Sequence, residues 1–344
     1  MVTPTLPFLN SPSAHVFRFV YKGAPRPLKA YLLERYAYGR DDRWAEMFYP
    51  CRIRLNGQAV DDTTPLVQGD AITYLHLREE EPQPFPPSPM VLYEDDWMMV
   101  LLKGDLVPVN PAGVYYFSSF ALSAREAFSN PELTPIHRLD LETSGPVVFA
   151  KRKADISRFH QLFVEKSIQK RYLALVTGDF PSGLREISGL IAPHPASRIH
   201  TKLSLEPGPY TPRSGVKQAD GSLTRVASRL PFNVPGHPSP FTQLELEPVT
   251  GKTNQLRVHL AHVGHPIVGD KKYHPDENVF LDWVVHRDFN RLADRLLLPR
   301  QALHCTTLDF PHPFESRRVE IRSPVRVWDE KLAHFSPPFF AVSD

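Results

Sequence analysis

Short apolar runs broken by turn residues make up most of this chain, and helical periodicity interrupts them in only a few places. Near the start, LKAYLLERY from Leu28 has apolar positions at helical spacing, and IRLNGQAVDDTTPLVQGDAITYL from Ile53 reads as short strands turned at Asn56-Gly57 and Gly69-Asp70. Two helices and a small hairpin sheet fit this portion. Further on, WMMVLL (Trp97 to Leu102) and PVVFAKR (Pro146 to Arg152) are short enough and apolar enough for buried strands. DISRFHQLFVEK, Asp155 to Lys166, places Ile156, Phe159 and Leu162 or Phe163 on one face of an amphipathic helix. KRYLALVTGD alternates as a strand around Tyr172 until Gly178-Asp179 turns the chain. LELEPVTGKTNQLRVHLAHVGHPIVGD, Leu244 to Asp270, reads as strand, tight turn, helix and stop. Thr253 is placed to cap that helix, Leu256, Leu260 and Val263 form its apolar face, and Gly264 ends it. Arg257 lies off the apolar face.

One boundary stands out. REEEPQPFPPSPM, Arg78 to Met90, joins an acidic run to five prolines, which exclude regular helix and favour extended chain. It predicts a linker, with residues 1–86 forming a small N-terminal domain plus tether and residues 87–344 a large domain. A chain of 344 residues, 42% hydrophobic, can bury the cores this requires. The formal net charge is only +2, so a nucleic-acid partner would have to be held by a local basic surface. Arg26, Lys29, Arg35 and Arg40 offer either a solvated face or RNA contacts. The same two readings apply to Arg198, Lys202, Arg213, Lys217, Arg225 and Arg229, in a stretch (193–240) rich in Pro, Ser and Gly that predicts long loops around short strands. The two cysteines, Cys51 and Cys305, have no metal or disulfide spacing, and no stretch approaches the roughly 20 apolar residues of a membrane span. A soluble cytoplasmic protein, monomeric and without membrane partner, is expected.

The chemistry concentrates in HRLDLETSG, residues 137 to 145. Asp140 follows Arg138 by two positions and His137 by three, and Thr-Ser-Gly turns the chain before a buried strand. An opposite charge within a few ångströms favours an ionised carboxylate. Such a group serves as a nucleophile or as the partner of a developing positive charge, the two roles carboxylates take at a sugar's anomeric carbon. A structural Arg-Asp pair at a strand start is the competing reading. His259, His262 and His265 suggest a metal site, but no His-Glu-x-x-His arrangement is present, no nearby acid completes a set, and His265 lies beyond the helix-ending glycine. Structural histidines are expected there, and no metal.

The motifs occur together and in order. HRLDLETSG, FAK, KRYLALVTG, TGKTNQLRVHLAHVGHPIVGD and RQALHCTTLDFPHP resemble the RluA-like pseudouridine synthases in sequence and spacing. LNGQAV followed by LVQGDAI resembles the S4 RNA-binding domain, although the Ser-Arg pair usual at the start of its second helix is missing around Asp42 to Trp44. The resemblance runs from about residue 28 to 327. It implies an α+β catalytic fold with a mixed, mostly antiparallel central sheet and flanking helices and loops, behind a small S4-like domain. It also implies an enzyme that isomerises selected uridines in structured ribosomal or transfer RNA, without cofactor or metal. By the same resemblance Asp140 is the catalytic aspartate, attacking at C1′ or through another variant of the mechanism. Tyr172 packs on the target base and is a candidate in proton transfer at C5, and Arg257 pairs with the catalytic carboxylate. Arg138 fills the gap the flipped base leaves in the stack, and His137, Lys252, Asn254 and Gln255 complete the substrate-binding set. Lys252 stands where an arginine is usual and Asn254 where a histidine is usual. After the first strand Lys103 is kept, but Gly104, Leu106 and Asn110 depart from the usual loop, and residues 274–300 look like an insertion. A catalytically silent RNA-binding protein of the same fold is the alternative, and such a protein would have little physical reason to keep Asp140 beside Arg138 and Arg257.

Overall fold

The computed structural model describes residues 14–35, 52–81, 89–112, 115–208, 221–233, 237–286, 288, 290–326 and 341–342. The expected second N-terminal helix near Asp42, most of the Pro-rich linker, Cys51, Arg40, Arg213, Lys217 and the side chain of Arg35 lie outside what is described. The chain divides into two compact units, Met1–Pro82 and Gln83–Asp344.

In the first unit the helix Leu28–Arg35 forms as its periodicity predicts, and Leu28 and Leu32 pack with Tyr21, Ile53, Leu66 and Ile72. Its sheet has the order Ala14–Val20, Ala71–Leu77, Ile53–Leu55, Gln58–Ala59. The Asn56-Gly57 turn closes a two-residue hairpin, and both residues have positive φ (51° and 81°), as a type I′ turn requires. The strand Ala14–Val20 was not expected. None of its residues is fully buried, so it carries no clean alternation to read. Of the basic residues considered for RNA, Arg26 pairs with Glu34 and Lys29 with Asp62.

Among the described residues the second unit carries a two-stranded pair, Val325–Arg326 with Ala341–Val342, and two large antiparallel sheets. One has the order Met90–Glu94, Met98–Lys103, Gly145–Ala150, Thr134–Pro135. The other, seven-stranded, runs Leu203–Glu206, Glu186–Pro193, Ser222–Phe232, Phe241–Pro248, Gln169–Thr177, Leu303–Pro311, Arg318–Arg322. Neighbouring strands are antiparallel throughout, and one hydrophobic core joins both sheets. Gly145–Ala150 is buried at every position, as its uninterrupted apolar run predicts. In the helix Ile156–Val164, Phe159 and Leu162 are buried and Ile156 and Phe163 partly so, on the face expected.

The stretch 193–240 departs from expectation, since it contains the 11-residue strand Ser222–Phe232. A register shift between Val226 and Ser228 changes which residues face inward, so the period of two breaks in mid-strand. Residues 274–300 hold the helices Asn278–His286 and Ala293–Leu296, over a small core of Val279, Leu292 and Leu296 with Trp283 against it.

The two sheets approach most closely where the chemistry lies. Ser144 bridges to His304, and the Cys305 amide donates to the Ser144 carbonyl at 2.9 Å. Gly145 permits this contact: its φ is +135°, and a Cβ there would lie 2.6 Å from Cys305 Cβ. Tyr172 is the register partner of Cys305. The loop that carries Asp140 is thereby brought against the strand that carries Tyr172.

Candidate active site

Asp140 lies on the loop entering Gly145–Ala150, where its carbonyl accepts the Thr143 amide at 3.1 Å. Each of the four residues that follow is fastened. Lys103, fully buried, donates from Nζ to the carbonyls of Gly104 (2.8 Å), Leu141 (3.1 Å) and Thr143 (2.8 Å). Glu142 accepts from Lys271 Nζ at 2.7 Å and from the Gln301 amide at 2.9 Å. Gln301 Nε2 donates to Thr143 Oγ1, and Ser144 Oγ meets His304 Nδ1 at 2.8 Å. Burial lowers the Lys103 ammonium to about 7, against the pull of Asp105 and Asp140, which favour its charge.

Arg257, on the helix Gln255–His262, reaches Asp140 with one bond, NH1 to Oδ2 at 3.0 Å. Its principal partner is Asp270, which it holds through Nε to Oδ2 (2.6 Å) and NH2 to Oδ1 (2.9 Å). The Asp270 side chain is 0% exposed and that of Asp140 26%. One guanidinium therefore joins a buried structural carboxylate to a half-open one. Burial works against charge on both Arg257 and Asp270, but the pair outweighs it: Arg257 is raised, and the Asp270 carboxyl is held below the usual carboxylate range. Burial, followed by the neighbouring Cys305, pushes the Tyr172 phenol well above its ordinary value, so Tyr172 keeps its proton and presents a neutral ring.

Asp140 and Tyr172 line a cleft of about 490 Å³, within the range of small-ligand sites. Arg138, Lys166, Lys170, Lys252 and Arg257 also line it, and Asp140 is the one carboxylate among its lining residues. A nearly neutral chain thus concentrates positive charge at one opening. Arg138 is exposed at this cleft.

The structure places Asp140, Tyr172, Arg257, Arg138, Lys252 and Asn254 around one cleft, with the Asn254 amide already committed to Arg257 and Tyr273, and it revises two further members of the set. Gln255 lines the cleft but is buried, and its amide is fully engaged. Its Oε1 accepts from Thr250 Oγ1 and the Lys252 amide, while its Nε2 donates to the Leu223 carbonyl and Thr224 Oγ1. It holds the 250–252 turn in shape and has no group left for RNA. His137 is not among the cleft residues. Its ring lies 6.0 Å from Phe163, its Nε2 accepts the Val148 amide at 3.2 Å, and burial lowers its pKa well below the ordinary value, so it is no phosphate-binding cation. The helix cap is also shifted: Asn254, not Thr253, occupies the cap position, in the left-handed region at φ 54°. Gly264, with φ 83°, closes the helix as expected.

Asp270, Tyr273 and Lys170 escaped sequence reasoning. Asp270 carries a signal in retrospect, because the preceding Gly269 has φ +77° and a Cβ there would lie 1.9 Å from the Arg300 carbonyl oxygen. A turn so tight marks a residue held in place.

The three histidines go separate ways. His262 is exposed, and His265 Nδ1 meets the Thr177 carbonyl at 2.8 Å. His259 Nε2 meets Ser222 Oγ at 2.7 Å, and Ser222 spends its own proton on the Gly189 carbonyl, so Nε2 must be the donor. His259 Nδ1 and His304 Nε2 are buried without a hydrogen-bond partner among the described residues. Burial lowers these imidazoles to about 4 and about 3. The unfolded chain, with histidine near 6.5, binds more protons than the native state between 6.5 and those values. Their contribution to stability is therefore complete above about pH 6.5 and falls away as pH drops, with His259 alone accounting for on the order of 1–2 kcal/mol by pH 5. Urea denaturation at pH 7.5 and 5.0 should show this loss, and His259→Gln should diminish it; an equal acid loss in that variant would contradict the assignment. Among the described residues no group of three or more His, Cys, Asp or Glu could hold a metal ion, and no helix is long and apolar enough to cross a membrane.

The chain matches the family described as RNA pseudouridylate synthase over residues 98–262. It is 30% identical to the ribosomal large subunit pseudouridine synthase C of Buchnera aphidicola subsp. Baizongia pistaciae, over 69% of this chain and 67% of that protein. It is 29% identical to the mitochondrial tRNA pseudouridine(32) synthase of Saccharomyces cerevisiae, over 65% of this chain but 45% of the relative. Among solved structures, human RNA pseudouridylate synthase domain containing 1 superposes with a TM-score of 0.52 at 26% identity, covering 70% of this chain and 85% of that one.

Proposed function

This chain belongs to the RluA-like RNA pseudouridine synthases, and from that premise we propose that Asp140 is its nucleophile toward a uridine flipped into the cationic cleft. The observation that carries the assignment is the asymmetry of the Arg257 contacts. Asp270 neutralises the guanidinium from inside, bidentate and buried, which leaves Asp140 half-open with only Oδ2 engaged by Arg257. Oδ1 is left to attack. A silent RNA binder would have no use for such a carboxylate.

Within the proposal, Tyr172 stacks on the uracil as a neutral ring, and Arg138 enters the helical stack where the base has left it. Oδ1 of Asp140 bonds to C1′ as the C1′–N1 bond breaks and its electron pair stays on the uracil. The uracil turns within the cleft, and C5 bonds to C1′ as the ester bond breaks and returns its pair to Asp140. C5 then loses its proton to solvent while N1 gains one. The apolar wall that includes Phe163, Ile168 and Leu303 would keep water from the exposed C1′ while the base is detached. Lys166, Lys170 and Lys252 line the same cleft, where backbone phosphates would meet them.

The relatives named for ribosomal large subunit RNA and for transfer RNA support a structured RNA of one of these classes as substrate; a cytoplasmic location and a monomeric state are proposed from the sequence reading alone. The first unit is proposed to be an S4-like RNA-binding module, on the strength of its helix, its Asn56-Gly57 hairpin and its Gly69-Asp70 turn. Carbodiimide-dependent reverse-transcription stops in total RNA, from cells with and without this gene, should reveal at least one uridine that loses its modification. Identical maps would contradict an active synthase.

A further inference from the structure

Asn254 is an unusual start to a helix. It occupies the cap position in the left-handed region, where asparagine is better tolerated than most residues, yet its side chain makes no capping hydrogen bond. The amide points elsewhere. Its Oδ1 accepts from Arg257 NH1 at 3.2 Å, and its Nδ2 donates to the Tyr273 hydroxyl at 3.1 Å. A guanidinium only donates, so the oxygen must face Arg257 and the nitrogen must face Tyr273.

Tyr273 is buried, and its hydroxyl also accepts the Leu203 amide at 3.4 Å, at the start of the strand Leu203–Glu206. The Arg257 guanidinium lies over its ring, 5.0 Å from the centroid. Arg257 is therefore fixed from three directions, by Asp270 along one edge, by the Tyr273 ring beneath and by Asn254 at NH1. The two hydrogens of NH1 are divided between Asn254 and Asp140.

We propose that Tyr273 and Asn254 form a positioning relay, anchored on the backbone at Leu203, that keeps NH1 of Arg257 on the Asp140 carboxylate. Neither residue needs to touch the RNA. Without the relay, the bidentate contact with Asp270 still keeps Arg257 charged and buried, but NH1 can turn toward water and Asp140 can leave its attacking position. The proposal rests on Asp140 being the nucleophile.

The test is a double-mutant cycle of Tyr273→Phe, Asn254→Gly and the double variant. Glycine accepts the left-handed backbone, and phenylalanine removes one oxygen and keeps the ring. Single-turnover rates at saturating RNA, dissociation constants by filter binding and thermal melting are measured for each. Each single change should slow the chemical step by about 5- to 50-fold while RNA affinity stays within about twofold. The double variant should be no more than about twofold slower than the slower single, because both act through one relay. Rate losses that multiply, parent-like rates in both singles, or an Asn254→Gly variant that loses affinity but keeps its rate would each overturn the proposal. Asp140→Asn serves as the reference. If it is inactive while the relay variants match the parent, the relay alone fails; if it is as fast as the parent, the nucleophile assignment fails and the relay with it.

Discussion

Lys103→Met is expected to remove activity and much of the stability of the large domain together. The side chain is fully buried, and its three N–H groups go to the carbonyls of Gly104, Leu141 and Thr143. Methionine fills nearly the same volume and donates nothing, so two buried acceptors and one partly buried acceptor lose their partner. Each unsatisfied buried group costs roughly 1–3 kcal/mol, offset in part because a buried ammonium is itself costly to hold. A net loss of about 2–4 kcal/mol is expected. The catalytic effect should be larger than the stability effect alone implies. Leu141 and Thr143 flank Asp140 on its C-terminal side, and a loop that drifts by 1 Å costs on the order of a hundredfold in rate. Guanidinium denaturation and tritium release from 5-³H-uridine RNA measure the two effects separately. A parent-like midpoint with a parent-like rate would mean that the cage has no function.

The order of elements in the large domain was legible because its signals are local. The runs at Trp97 and Pro146, the amphipathic face of Phe159 and Leu162, and the glycine stop at Gly264 each depend on neighbours within a few residues. Asp140, Arg138, Tyr172 and Arg257 were legible as members of ordered motifs. What surrounds them was not, because it is made by contacts distant in sequence. Lys103 meets Thr143 40 residues away, and Tyr273 meets Leu203 70 residues away. No periodicity encodes such pairs.

The two revised residues have a common cause. Gln255 lies two positions from Arg257 on one helix, and side chains at i and i+2 do not share a face, so Gln255 turns to the strand Ser222–Phe232 while Arg257 turns to Asp140. His137 likewise adjoins Arg138 in sequence but packs inward with Val148 and Phe163 while Arg138 stays at the cleft. Adjacency within a motif is thus a poor guide to a shared function. The long strand Ser222–Phe232 escaped for a different reason, the bulge that interrupts its alternation.

Asp140→Asn should abolish pseudouridine formation and leave the fold intact. The substitution keeps the size of the side chain and removes its charge and its nucleophilic oxygen. Because Asp270 already pairs with Arg257 through two bonds in a buried site, loss of the third bond leaves no orphaned cation, and the melting temperature should shift by no more than a few degrees. RNA binding should persist or tighten slightly, since a carboxylate that repels phosphates is gone from the cleft. A merely orienting carboxylate would leave a residual rate, whereas a nucleophile leaves none. Tritium release from 5-³H-uridine RNA by the purified Asp140→Asn variant, with gel-shift binding and melting measured on the same sample, is the decisive measurement. The predicted result is release no greater than the enzyme-free blank from a folded, RNA-binding protein; release near the parent's rate from that same protein would contradict the account.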